Sequence, residues 1–183
     1  MARINLEHRR TVLVRAMEWY SKRKYGEVLD PGKVALHHKG VLTTMLAMEG
    51  SAARWKGLDP TLKALATMAV SAEIGCSWCM DFGFFEYHHQ KVDRAKLRDV
   101  PRWRDSDVYS DLERAVMSYA VAATATPPAV TDDQVERLLE DLSEADLVEL
   151  TAQIALENYR SRINASLGLT SQGFKETCEL RPA

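Results

Sequence analysis

Helix start and stop signals recur along this whole sequence, while strand-like alternation over four or more residues is hard to find. Asp59-Pro60 pairs an N-cap with a proline at the first helical position. Ser110-x-x-Glu113 is a capping box, Thr131-x-x-Gln134 repeats the spacing, and Ser143 precedes a long periodic stretch. Gly26, the Asp30-Pro31-Gly32 turn, Gly50, Gly75, Thr126-Pro127-Pro128 and Gly168 supply the breaks. Together they predict helices over about 5–25, 33–49, 60–75, 76–91, 110–125, from Thr131 onward, and 144–165. Asp93–Tyr109 reads as a short helix and a loop, and the tail holds one more helical turn with Cys178. The expectation is an all-α fold of seven or eight helices. At 183 residues it fits a single domain, 1–183.

Composition narrows the functional classes. With 46% hydrophobic and 27% charged residues, the chain is not a mostly disordered one. Lys plus Arg is 24 and Asp plus Glu is 26, a net charge of −2, with no long basic run. Nothing in that balance argues for nucleic acid or an anionic membrane. No apolar run approaches the roughly 18–20 residues of a bilayer span. Met1 to Trp19 mixes Arg, Glu and His among its apolar residues and lacks the core of a secretory signal. A cytoplasmic protein is expected, with no cofactor and no metal.

Cys76, Cys79 and Cys178 are too few and too odd in number for a disulfide scaffold. Cys76-Ser77-Trp78-Cys79 follows Gly75, where one helix ends and the next begins. A cysteine near an N-cap meets unpaired backbone N–H groups and the positive end of the helix dipole, which favour a thiolate. Two cysteines three apart on a first turn can close a disulfide. The chemistry indicated is thiol–disulfide exchange or peroxide reduction. Inert burial is the plain alternative. Structural zinc fits poorly, because His88 and His89 lie 9 and 10 residues past Cys79, on other faces of the helix.

Helical-wheel positions add three candidates. On 60–74, Leu62, Leu65, Ala66, Ala69, Val70 and Ala72 share an arc with Glu73 at its centre. An inward Glu73 would be desolvated, with a raised pKa, and could carry protons for a sulfur; a frayed helix end would instead release it to solvent. On the last helix Leu147, Leu150 and Ile154 form a stripe, widened by Val148, Ala152, Ala155, Leu156, Tyr159 and Ile163. Glu149, Gln153, Glu157, Arg160 and Asn164 take the opposite, solvent-like side. Asn158 and Arg162 continue the apolar stripe and need partners: a clamp onto neighbouring backbone, or a small carboxylate or hydroperoxide. His37-His38 reads as exposed helix surface, or as one satisfied buried histidine.

The stretch Ala69-Val70-Ser71-Ala72-Glu73-Ile74-Gly75-Cys76-Ser77-Trp78-Cys79 resembles the carboxymuconolactone decarboxylase and alkylhydroperoxidase D-like family. So does the late segment from Leu147 to Thr151 and from Ala155 to Asn164. The resemblance spans about Pro60 to Leu169, a family core over 60–169 preceded by a helical extension over 1–58. It implies an all-helical homo-oligomer. In the hydroperoxidase branch two cysteines, matched by Cys76 and Cys79, cycle between dithiol and disulfide and reduce peroxides. That branch carries a histidine four residues after the second cysteine, here Gly83, and a glutamate twelve before the first, here Ala64. Glu73 or Asp81 is a candidate substitute carboxylate, and Gly83 leaves space on the cysteine-bearing face.

The expected function is a thiol-dependent oxidoreductase, peroxidase or disulfide reductase-like. Its partners are a small peroxide and a thiol or protein reductant. Helix-dipole position favours Cys76 as the attacking sulfur, whereas the family pattern favours Cys79. The alternatives are a lactone enzyme with Asn158 and Arg162 holding a substrate carboxylate, and a non-catalytic oligomeric binding protein.

Overall fold

A computed structural model describes residues 2–179. They form ten α-helices and one 3₁₀ helix, without strands among the described residues. The chain divides into two compact units. One holds the residues up to Arg54 with Leu167–Leu169; the other holds Trp55–Ser166 and the chain from Thr170 on.

The first unit contains α1 (Val12–Tyr25), α2 (Asp30–Ala35) and α3 (Lys39–Ala52). Helix α1 starts later than predicted, at a Thr11 cap, and ends as predicted at Gly26 in a left-handed conformation, φ 84°. It buries only Val14 and Ser21. Val12, Leu13, Trp19 and Tyr20 are exposed in this single chain. The helix predicted over 33–49 is two helices. The break falls at His38, whose extended backbone (φ −138°, ψ 102°) makes it the N-cap of α3, its Nδ1 accepting the Val41 N–H. The His37 ring meets the Asn5 carbonyl. The histidine pair is therefore a junction, not helix surface.

The second unit is built around α4 (Pro60–Ile74). Packed on it are α5 (Ser77–His89), α7 (Asp111–Thr124) and α9 (Glu144–Ser166). The remaining elements are α6 (Arg94–Asp99), the 3₁₀ helix Val100–Asp105, α8 (Asp132–Leu139) and α10 (Phe174–Glu179). The capping signals do what they predict. Asp59 accepts the N–H groups of Thr61 and Leu62, and Ser110 with Glu113 and Thr131 with Gln134 form complete capping boxes.

Helix α4 is buried at Leu62 and continuously from Ala64 to Ser71, on all sides and not on one arc. Alanines at 64, 66 and 69 let its neighbours approach closely. Enclosure ends with the last turn, and Glu73 lies exposed there. The inward, desolvated Glu73 expected from the wheel is thus corrected: an arc has no meaning for a helix covered all round.

The face of α9 is corrected as well. Gln153, Glu157, Ser161 and Asn164 are buried, while Val148 is 68% exposed and Ala155 is exposed. The polar side turns inward because α4 presents polar partners. Gln153 donates to Thr67 Oγ1 (3.1 Å), and Ser71 and Ser161 donate to Glu157 Oε1 (2.9 and 2.6 Å). Arg160 Nη1 reaches Glu157 Oε2 at 3.2 Å. Burial pushes the Glu157 carboxyl above its ordinary value, against the pull of Arg160 and the two hydroxyls.

A carboxyl raised in the folded state holds its proton to higher pH than in the unfolded chain. Stability is then lost as pH rises from the ordinary value of 4.5 through the folded one. Glu157→Gln escapes that loss. Its melting temperature relative to wild type should climb with pH across this window and level off above it. A difference that stays constant with pH would show that Glu157 titrates alike in both states.

Candidate active site

Gly75 closes α4 in the left-handed region, φ 76°, where a side chain would be strained. Its N–H bonds to Ala72 O at 3.1 Å, and the Cys76 N–H to Ser71 O at 2.9 Å. This turn delivers Cys76 as the N-cap of α5, where its sulfur accepts the Cys79 N–H at 3.2 Å. Cys76 and Cys79 form a disulfide, Cα–Cα 5.3 Å, and both are buried. Cys178 is buried and takes no part in it. Asn164, on α9, directs its amide Nδ2 at Cys79 Sγ, 3.4 Å away in the buried interior.

A cleft of about 490 Å³ opens beside the start of α5. Met68, Ala72, Met80, Phe84, Leu97 and Pro101 give it an apolar lining. Gly75, Cys76 and Ser77 form one wall, and Arg98 and Lys175 bring positive charge. The Lys175 ammonium stands 5.2 Å from the centre of the Phe84 ring. Segment 171–176 completes the cleft and is held by α5. Trp78 Nε1 donates to Gln172 Oε1 at 2.7 Å, and Phe174 packs edge-on against Phe82.

Asp81 is the anchor of that segment. It is buried and accepts the N–H groups of Gln172 (2.8 Å), Phe174 (3.1 Å) and Lys175 (2.7 Å). Its oxygens thus serve the backbone of the cleft wall, although the residue lines the cleft. Asn158 and Arg162 take the first of the two uses expected for them, the clamp. Asn158 donates to Thr124 Oγ1 and Ile154 O, and Arg162 donates to Thr124 O at 2.9 Å and to Asn158 Oδ1 at 3.2 Å. They hold the end of α7 and are not among the residues lining the cleft. Glu73 does not line it either. Among the described residues no cluster of three or more His, Cys, Asp or Glu could hold a metal.

The space expected at Gly83 is filled. A Cβ built there meets Met68 Cγ at 3.4 Å and the Tyr87 ring at 3.9 Å. Burial, partly offset by a hydrogen bond with Thr67, pushes the Tyr87 hydroxyl up to about 12, so it stays protonated near neutrality. Ala64, the other relay position, is fully buried in α4. Asn164 and Glu157 were missed, and a signal for them exists. Gln153, Glu157, Ser161 and Asn164 recur at helical spacing, as do Thr67 and Ser71 on the facing helix.

An all-helical protein with a Cys-x-x-Cys disulfide at a helix N-terminus is the class this fold and site define. Residues 40–122 match the carboxymuconolactone decarboxylase family. The uncharacterized protein YnjA of Escherichia coli (strain K12) is 30% identical over 175 residues, covering 93% of this chain and 94% of YnjA. The chain belongs to the carboxymuconolactone decarboxylase family. An alkylhydroperoxidase AhpD core structure, an uncharacterized peroxidase-related protein from Ralstonia eutropha JMP134, superposes with a TM-score of 0.82 at 16% identity, over 95% of this chain and 94% of that one. The debrominase Bmp8, solved as a cysteine-to-alanine variant in complex with 2,3,4-tribromopyrrole, superposes at 0.77 with 18% identity, over 91% of this chain and 89% of that one. At these identities the likeness is one of fold.

Two expectations follow. Gly83→Ala should be neutral or stabilising by up to about 1 kcal/mol, since the Cβ fits and helix propensity improves. Gly83→His should cost about 1–3 kcal/mol, because the ring must displace Met68. Denaturant titrations decide; a histidine variant as stable as wild type would mean that Met68 yields freely. Separately, Asp81→Ala should strip hydrogen-exchange protection from the amides of Gln172, Phe174 and Lys175 while leaving that of α4 in place. Unchanged protection at those three amides would remove Asp81 as the anchor.

Proposed function

We propose that this protein is a thiol-dependent oxidoreductase in which Cys76 and Cys79 cycle between dithiol and disulfide. The observation that carries the reading is the disulfide itself, at the N-terminus of α5 beside an apolar cleft. In the reducing half, two thiol groups of an external reductant open the disulfide and leave oxidised as their own disulfide. In the oxidising half, one thiolate attacks a peroxide oxygen, the O–O bond breaks, the departing alkoxide takes a proton from solvent, and an alcohol and a sulfenic acid result. The second sulfur then displaces water from the sulfenic acid and restores the disulfide. The apolar lining suits an organic group larger than hydrogen peroxide.

Peroxide reduction should be slow without an acid at Gly83 or Ala64, since general acid–base help is worth about 10²–10⁴-fold. The lactone reading drew on Asn158 and Arg162, and the hydrogen bonds of both within the chain lend it no support.

Mild oxidation of the reduced protein should consume two thiols per chain and spare Cys178, and a dithiol should return them. Cys76→Ser and Cys79→Ser should each abolish turnover of an organic hydroperoxide or a small disulfide. Lactone decarboxylation surviving in the double serine variant, with no thiol turnover in wild type, would replace this reading.

A further inference from the structure

The two sulfurs of the pair meet different surroundings. Cys76 belongs to the cleft wall, and its sulfur sits at the N-terminus of the 13-residue α5, accepting a backbone N–H. Cys79, 7% exposed, does not line the cleft, whereas Cys76 is fully covered in the disulfide state, so exchange at Cys76 requires the cleft wall to open there. The Cys79 sulfur lies against α9, where the Asn164 amide, 3% exposed, is aimed at it from 3.4 Å. A buried amide N–H placed on a sulfur gains most when that sulfur carries negative charge. The charged groups on the packed elements are occupied or turned away. Asp81 on α5 holds three backbone amides, Glu157 on α9 is tied to Ser71, Ser161 and Arg160, and Glu73 on α4 is exposed. Lys175 and Glu176 on α10, and Arg98 on α6, stand at the cleft, on the Cys76 side.

We propose that Asn164 is a catalytic residue that fixes the order of the sulfurs: Cys76 exchanges with the external reactant, and Cys79 leaves as a thiolate on the Asn164 amide. The assignment rests on the dithiol–disulfide reading above. In the reducing step an external thiolate attacks Cys76 Sγ and a new S–S bond forms there. The electron pair of the Cys76–Cys79 bond passes to Cys79 Sγ, which accepts the Asn164 N–H. A second external thiolate then attacks the external sulfur of the mixed disulfide and releases Cys76 as a thiolate. The reductant leaves as a disulfide, and its two electrons stay on the pair. A better-stabilised leaving thiolate speeds the opening step.

The test uses the full-length protein. Cys79→Ser, which keeps Cys76, should form a mixed disulfide with a small aromatic disulfide about tenfold or more faster than Cys76→Ser, which keeps Cys79. In the Cys76→Ser background, the ultraviolet absorbance of the Cys79 thiolate is followed against pH. Asn164→Asp, nearly isosteric, and Asn164→Ala should each move its midpoint up by about one unit or more, the loss of one charge-assisted hydrogen bond. Asn164→Gln, which keeps a donor, should move it less. The same changes in the Cys79→Ser background should leave Cys76 reactivity unaltered, which a merely structural effect would not do. Faster trapping at Cys79, or a Cys79 midpoint unmoved by Asn164→Asp when that variant is folded by circular dichroism, overturns the proposal. Wild type whose thiols do not cycle, with the Cys79 midpoint still dependent on Asn164, would sink the oxidoreductase reading while leaving the amide–sulfur contact intact.

Discussion

Enclosing α4 on every side leaves its hydroxyls no solvent: Thr67 and Ser71 turn to carbonyls of their own helix, and their oxygens also meet polar groups of the helix packed against them. Helix α9 supplies them. Gln153 meets Thr67, and Glu157 receives Ser71 with Ser161 one turn further on. These two crossing contacts favour one register of α9 against α4, because sliding either helix by one residue would break both and leave the Gln153 amide and one Glu157 oxygen short of a partner. In that register, the next polar position of α9, Asn164, falls on Cys79. The polar seam that holds the two helices together thus also delivers the amide to the sulfur.

The longer helices of the second unit and the placement of the cysteine pair were legible because both depend on local chemistry. Asp59-Pro60, Ser110-x-x-Glu113 and Gly75 act through their own backbone neighbours, and a single sequence carries that information in full. The break at His38 was not legible, because nothing there resembles a helix stop. Its extended backbone goes with contacts made elsewhere, the His37 ring on Asn5 among them.

Facing directions were harder, and the errors share one cause. An apolar stripe predicts the buried face only when the opposite face meets water. Helix α4 has no water-facing side over most of its length, so the arc that placed Glu73 inward was an accident of composition. On α9 the stripe residues Leu150 and Ile154 are buried as read, but the polar line Gln153, Glu157, Ser161 and Asn164 is buried beside them, because its partners on α4 are polar too. Only reading the two helices together, Thr67 and Ser71 against Gln153 and Glu157, exposes the seam. Asn158, half-buried, and Arg162, exposed although it continues the apolar stripe, both bond to the end of α7.

The chemistry at Gly83 follows from the same packing. Gly83 carries no side chain, and a Cβ there would already touch Met68 and Tyr87, so the position offers the sulfurs no proton donor. Peroxide cleavage suffers from that loss, because the departing alkoxide needs a proton as the O–O bond breaks. Disulfide opening does not, because its leaving group is a thiolate, stable near neutral pH once a donor holds it. An amide such as Asn164 can stabilise that thiolate but has no proton to give an alkoxide. On the proposed reading, a pair served by a buried amide, with neither family relay residue in place, would be better matched to thiol–disulfide exchange than to rapid peroxide turnover.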